Sequence, residues 1–309
     1  MQKISLMKRA MTFIMAFAIL MVFNGTTALA SSVSSVPENE SAETEFGASI
    51  TYNAQTGEVI YGMDQENGTM EVGNVINLEQ NENSGISTQG IIGTDDRTLV
   101  SNPTGDPYRN ICYVKTTWKD GTVTYGSGTL VYFNVMLTAG HLVYSHEHGG
   151  WANSMEIIPA KNGGSRPFGT AYATYMTSNV SFVNDAAAYA DWGIVDLSRS
   201  FQTWQHYGYY DYPSYLVGRT VTTIGYPTDH INYMYTDTKT VMDAGENYIR
   251  LANDTYPGDS GGAVIDVEKG WLTGIITRQH QDENGNFTYN EAVRINQDLF
   301  SRIQAHTAS

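Results

Sequence analysis

Three residue types occur in this chain in an order that could break an acyl bond: His141, Asp191 and Ser260. A serine hydroxyl is a weak nucleophile near neutral pH, so it needs an adjacent base, and that base needs an orienting acid. Ser260 lies in the turn-like string Gly258-Asp259-Ser260-Gly261-Gly262. The backbone N–H groups of Gly258 and Ser260 could converge on a developing oxyanion, where losing one donor costs about 10²–10³ in rate. His141 follows Val135-Met136-Leu137-Thr138-Ala139-Gly140, an apolar run ending in small residues that leave room for a ring. Asp191 opens the apolar run Trp192 to Val195. Asp185, in an alanine-rich loop, and Asp196, at the far end of that run, compete for the acid's place.

The chain must also supply a scaffold, and 309 residues suit one large or two small domains with a buried core. Residues 1–30 read as a secretory signal peptide. Lys3, Lys8 and Arg9 precede the apolar run Met11 to Phe23, and Ala28-Leu29-Ala30 is a small-residue cleavage site. That run is short for a membrane span, so the expectation is a secreted protein with no membrane attachment once the leader is removed. The single cysteine, Cys112, excludes an intrachain disulfide and reads as a small buried residue.

The net charge of −15 is uneven. Residues 31–89 hold ten acidic and no basic side chains, whereas residues 90–309 hold 22 acidic against 14 basic ones. Neither part has a basic footprint, which argues against nucleic-acid binding. The acidic segment is poor in aromatics and rich in Ser, Glu, Asn and Gly. It is read as a propeptide, residues 31–90, and "GASITYNAQTGEVIYG" within it alternates like strands that could dock on the enzyme as an inhibitor or folding aid.

Beyond Gly90, short runs rich in Val, Ile, Thr and Tyr are separated by Gly, Asn, Asp and Pro. Strands are expected throughout, for example at 111–117, 122–125, 129–133, 155–159, 193–197, 220–224 and 272–277, which makes an all-β sandwich or barrel. One C-terminal helix is expected, capped by Asn296 with Leu299, Phe300 and Ile303 on one face. The glycine-serine string also fits the G-x-S-x-G elbow of α/β-hydrolases. That elbow needs a helix after the serine and a downstream acid and histidine, whereas "GGAVIDVEKGWLTGIIT" reads strand, turn, strand and the best partners lie upstream.

The order His, Asp, Ser on a β-rich background is that of chymotrypsin. "IIGTDDRTLV", "LTAGH", "ADWGIVDLS", "LVGRTVTTIGYP" and "DTYPGDSGGAV" together resemble the secreted bacterial glutamyl endopeptidases of the trypsin/chymotrypsin superfamily, over residues 91–305. The resemblance implies a chymotrypsin-like double six-stranded β-barrel, with barrels at roughly 91–205 and 206–309 and the site between them. It implies a precursor cut close to "IIGTDDR". His141 is then the general base and acid, Asp191 its orienting partner and Ser260 the nucleophile. Gly258 and Ser260 form the oxyanion hole, and Thr277-Arg278 pairs with the substrate backbone. The expected enzyme is a monomer acting on proteins or peptides, with no metal or cofactor and its own propeptide as partner.

Two departures from that family matter. Gly140-His141-Leu142 lacks the cysteine of a Gly-His-Cys string, so the histidine loop must be held by packing. In "LTGIITRQH", Ile276 stands where a pocket histidine is expected to bind a substrate glutamate, leaving Thr255 as the matching pocket hydroxyl. An unpartnered buried carboxylate is very costly. Arg278 or His280 could supply the charge, the amine of the processed chain could reach the pocket, or Ile276 and Tyr289 could line an apolar pocket with acidic specificity lost. Asp254, at the pocket base by position, is expected to turn into local hydrogen bonds. Asp259 could receive the new N-terminus near Ile91. His146, Glu147 and His148 are read as a solvated loop, and the tyrosines of "WQHYGYYDYPSY" as a cover over a barrel. The rival from another class is a catalytically silent, protease-like binding module.

Overall fold

The structure, a computed structural model, describes residues 48–62, 71–72 and 90–307. Residues 1–47, which include the expected leader, and most of the rest of the acidic segment lie outside the described residues. The chain opens with β1 (Ser49–Asn53), β2 (Val59–Gly62) and β3 (Glu71–Val72), so the alternating string in the acidic segment does form a hairpin. β4 (Thr98–Leu99) follows.

The next strands are β5 (Ile111–Thr117), β6 (Val123–Tyr132), β7 (Val135–Thr138), a small ribbon of β8 (Tyr144–Ser145) and β9 (Gly150–Trp151), β10 (Ser154–Pro159) and β11 (Ala171–Asn179). After helix α1 (Val180–Asp185) comes β12 (Gly193–Leu197). Six of these close a first antiparallel barrel in the order β10-β5-β6-β7-β12-β11, with β11 returning to β10. The second closed barrel runs β13 (Thr220–Gly225), β16 (Ala263–Asp266), β17 (Trp271–Gln281), β18 (Phe287–Arg294), β15 (Tyr248–Leu251) and β14 (Tyr235–Ala244), with β14 returning to β13. Helix α2 (Gln297–Thr307) ends the chain, and the Asn296 side chain caps it by accepting from Leu299 N at 2.9 Å. The all-β double-barrel expectation is met.

The two stretches expected as separate strands at 122–125 and 129–133 are one strand, β6. The intervening glycines are packing positions and do not form a turn. A Cβ on Gly126 would lie 2.3 Å from Leu142 Cδ1, and one on Gly128 would lie 2.4 Å from Met136 Sδ. Leu142, next to the histidine, is thereby clamped without a disulfide, and Thr116 Oγ1 donates to its carbonyl at 3.0 Å. Cys112 is fully buried, and burial pushes its thiol pKa up.

Barrel 1 encloses Val114, Leu130, Met136, Met155, Ile157 and Val195, while Val221, Ile249, Val264, Ile276 and Ala292 fill barrel 2. A third cluster, including Ile111, Leu137, Ile194, Ile224, Ile275 and Leu299, joins residues of both barrels and α2. The tyrosine-rich stretch covers the molecule as expected: Tyr207 and Tyr209 pack on Phe300, and Tyr210 Oη donates to Asp266 Oδ2 at 2.7 Å.

Candidate active site

β7 delivers His141. The chain leaves it at Ala139 and enters a short turn, Gly140–Leu142. A Cβ on Gly140 would lie 3.0 Å from both Phe182 Cδ1 and Trp192 N, so a side chain there would push on its neighbours. Asp191, immediately before β12, grips His141 twice. Its Oδ2 lies 2.9 Å from Nδ1 of the ring, and its Oδ1 accepts from the His141 backbone N–H at 2.8 Å. Burial opposes charging the imidazole, but the Asp191 charge and hydrogen bond outweigh it, and the His141 pKa sits above 6.5. Neither rival acid approaches this geometry: Asp196 faces His306 at 3.2 Å, and Asp185 is exposed at the end of α1.

Ser260 sits on a tightly cross-linked turn. Asp259 N donates to Tyr256 O at 2.9 Å, Gly262 N to Asp259 O at 2.8 Å, and Gly261 N to Ile276 O at 2.7 Å. Gly258 and Gly261 adopt φ of 104° and 80°, in the region that favours glycine. A Cβ on Gly261 would lie 2.2 Å from Ser127 O, so the turn presses directly on barrel 1.

Ser127 is a residue the sequence reading missed. Lying in β6, its N–H donates to Ser260 O at 2.8 Å and its Oγ donates to Gly258 O at 2.7 Å. The same Oγ accepts from Tyr226 N at 2.8 Å, and Thr138 Oγ1 donates to Ser127 O at 2.7 Å. One side chain of barrel 1 therefore fixes the turn of barrel 2 relative to the strand that carries His141. The available signal was a serine between two glycines inside a strand, Gly126-Ser127-Gly128.

Asp259 is fully buried. Its Oδ2 accepts from Tyr256 N at 2.8 Å, while Oδ1 has no hydrogen-bond partner. Burial raises its pKa to about 7. The segment that would bring the Ile91 amine to it is held elsewhere. Asp254 accepts from Ile92 N at 2.7 Å and Asp96 N at 3.0 Å, and faces Lys239 Nζ at 3.4 Å. The Asp254 carboxylate is thus taken up by hydrogen bonds within the chain, as expected, but its backbone partners lie in the distant 92–96 segment.

Gly90 is held against the residues that the reading assigned to the specificity pocket. Its carbonyl accepts from Asn290 Nδ2 at 2.8 Å and Thr255 N at 3.4 Å, and its N–H donates to Asn290 Oδ1 at 3.3 Å. Thr255 is fully buried, and its Oγ1 lacks a partner. Ile276 is fully buried in barrel 2. Thr277 is also buried, its Oγ1 donating to Glu291 O at 3.3 Å. Arg278 donates from Nε to Glu291 Oε1 at 2.9 Å, and Nη2 donates to the same oxygen. His280 stacks on Tyr289 with ring centroids 4.2 Å apart, and its Nε2 lies 3.6 Å from Glu291 Oε2. Burial holds its pKa below 6.5. Both side chains suggested for a substrate carboxylate therefore already face the chain's own Glu291, which the sequence reading did not single out.

A family profile described as Trypsin matches residues 101–299. The chain is 33% identical over 234 residues to an "Extracellular metalloprotease" of Bacillus subtilis, covering 74% of this chain and 72% of that protein. It is 29% identical over 223 residues to a "Glutamyl endopeptidase" of Bacillus licheniformis, covering 70% and 69%. A solved structure titled as a Glu endopeptidase in complex with MPD superposes at TM-score 0.62 with 23% identity, covering 71% of this chain and all of that one. The protease Anisep from Arthrobacter nicotinovorans gives TM-score 0.57 at 15% identity, covering 69% and 100%.

The first of these relatives is named a metalloprotease. Among the described residues no group of three or more His, Cys, Asp or Glu side chains is placed to hold an ion. His146 Nε2 instead lies 2.9 Å from Val183 O, and His148 pairs with Asp120 at 2.9 Å while stacking on Trp118. No helix among the described residues is long and apolar enough to cross a membrane. With a trypsin profile over most of its length, two closed barrels and an endopeptidase among its relatives, the chain belongs to the trypsin family of serine endopeptidases.

Proposed function

We propose that the protein is a secreted endopeptidase, made as a precursor, that cuts proteins through an acyl-enzyme on Ser260 and prefers Glu or Asp before the cut. The observation that carries this reading is the double grip of Asp191 on His141, through both ring and backbone, at the strand end that Ser127 and Thr138 tie to the Ser260 turn. In this mechanism Asp191 fixes the His141 tautomer with Nδ1–H toward the carboxylate, leaving Nε2 to take the Ser260 proton. Ser260 Oγ then attacks the scissile carbonyl. The developing oxyanion is met by the N–H groups of Gly258 and Ser260. His141 returns the proton to the leaving amine, and water repeats the sequence to release the acyl group.

The acidic preference rests on two of the chain's own features, the amine left by processing and the Thr255 hydroxyl. Arg278 and His280 are turned to Glu291, so they are not free to read a second carboxylate. A cut close to Ile91 leaves a new amine one peptide away from the Gly90 position that Asn290 and Thr255 hold. That amine and the unpartnered Thr255 hydroxyl together give a carboxylate a charge and a hydrogen bond, which its desolvation requires. The apolar alternative has less support, since Ile276 is enclosed among Val221, Val264 and Ala292.

The test is cleavage-site profiling of the processed enzyme on a peptide library. Glu or Asp is expected before at least most cuts, and an added N-terminal residue on the processed chain is expected to reduce that preference about tenfold or more, the equivalent of ~1.4 kcal/mol. Apolar residues before the cut would overturn the specificity reading.

A further inference from the structure

The first barrel is not closed by its own six strands along the whole of β11. β10 pairs with β11 only at Glu156↔Tyr172 and Ile157↔Ala171. From Tyr175 to Asn179, the free side of β11 is taken by β1, in the register Asn53↔Tyr175 through Ser49↔Asn179. The hairpin also completes the core. Ile50 is 2% exposed and Tyr52 9%, both within the barrel-1 cluster. The Tyr52 ring stacks on Trp151 at 5.5 Å with planes 5° apart, and Lys119 Nζ lies 5.4 Å from the Tyr52 ring centre. Thr51 Oγ1 and Thr177 Oγ1 share a hydrogen bond of 2.8 Å across the strands.

Its first residue reaches further. Ala48 O accepts from Val180 N, the first residue of α1, at 3.0 Å. α1 carries Phe182, whose ring borders Gly140 beside His141. Among the described residues, the hydrogen bonds and ring contacts that seat the hairpin run to β11, Trp151, Lys119 and Val180. This is the geometry of a structural strand, not of a plug in the cleft. Removing it would leave five residues of β11 as an unpaired edge, with Trp151 and Met176 uncovered, a template for wrong pairing.

We infer that residues 48–62 are a permanent strand of barrel 1: after the precursor is cut near residue 90 the hairpin stays bound, and the working enzyme consists of two chains. The inference rests on the reading that the chain is cut there. Its test does not depend on activity, so the two can fail separately.

The experiment uses residues 31–309 carrying Ser260→Ala, to prevent self-digestion, with a site for an unrelated protease inserted between residues 73 and 89. After nicking, size-exclusion chromatography with mass spectrometry is expected to show both fragments in one peak at micromolar concentration, separating only in denaturant. Tyr52→Ala is expected to release the small fragment and to lower the unfolding temperature of the uncut protein by roughly 5–10 °C. If Tyr52→Ala fails to fold uncut, that outcome also supports a structural strand. A peptide of residues 45–72 added to unfolded 90–309 is expected to raise the refolded yield about tenfold or more. A small fragment that elutes alone from the unsubstituted nicked protein, leaving a body with an unchanged unfolding temperature, would overturn the inference.

Discussion

Replacing Ser260 with alanine is expected to lower the rate of peptide hydrolysis by about 10⁶, with the fold intact. The size of the effect follows from the role. The hydroxyl forms the covalent intermediate, and what remains is the smaller contribution of binding and oxyanion donors. The fold is expected to survive because the turn is held by its backbone. Ser127 N still donates to the residue-260 carbonyl, and Gly261 N still donates to Ile276 O. Kinetics of the processed enzyme on a chromogenic peptide give the first number, and thermal unfolding gives the second. An unfolding temperature within about 2–4 °C of the parent, corresponding to ~1 kcal/mol at this size, identifies the loss as chemical. Residual activity above a hundredth of the parent would remove Ser260 from the mechanism.

Asp191→Asn is expected to cost about 10⁴ in kcat and to move the pH profile. Two hydrogen bonds hold His141 to this carboxylate, one of them to the backbone, so the amide retains much of the loop geometry but loses the charge. In the parent, the Asp191 charge is what lifts the imidazole above 6.5 against the opposing effect of burial. A general base must be unprotonated, so parent activity is lost as pH falls through that raised value. With the charge removed, only burial remains, and the acidic limb of kcat/KM is expected to move to lower pH even as the rate falls. Asp196→Asn and Asp185→Asn serve as controls, since neither contacts His141. Equal losses from all three, or an acidic limb that stays in place in Asp191→Asn, would show that the carboxylate acts by packing alone.

The parts of the site that were legible in the sequence are the parts encoded locally. A glycine before the histidine, an aspartate opening an apolar strand and glycines around the serine each stand in a short recognisable string, although the contacts that require the glycines come from afar, Phe182 and Trp192 at Gly140 and Ser127 and Thr138 at Gly261. Ser127 was not legible, because its partners Gly258, Ser260 and Tyr226 belong to the other barrel and its own neighbourhood reads only as a glycine-rich strand. The same limit applies to the polar residues of β18. Asn290, 0% exposed, and Glu291, 4% exposed, put polar residues where alternation anticipates apolar ones. They are buried because Asn290 answers Gly90 and the Asn253 carbonyl, while Glu291 answers Arg278. The specificity question turned on this non-local chemistry. Ile276 could be seen to lack a charge, but not that Arg278 and His280 were already committed. The glycines of β6 misled in the opposite direction, because a residue type that marks turns was here making room for Leu142 and Met136.

The most direct test of the account is an active-site label. The processed enzyme is treated with a serine-directed fluorophosphonate and the modified peptide is identified by mass spectrometry. The account predicts one equivalent of label, on Ser260 alone, blocked by prior acylation and nearly absent in Asp191→Asn. A labelled residue other than Ser260, or an active enzyme that takes up no label, would contradict it.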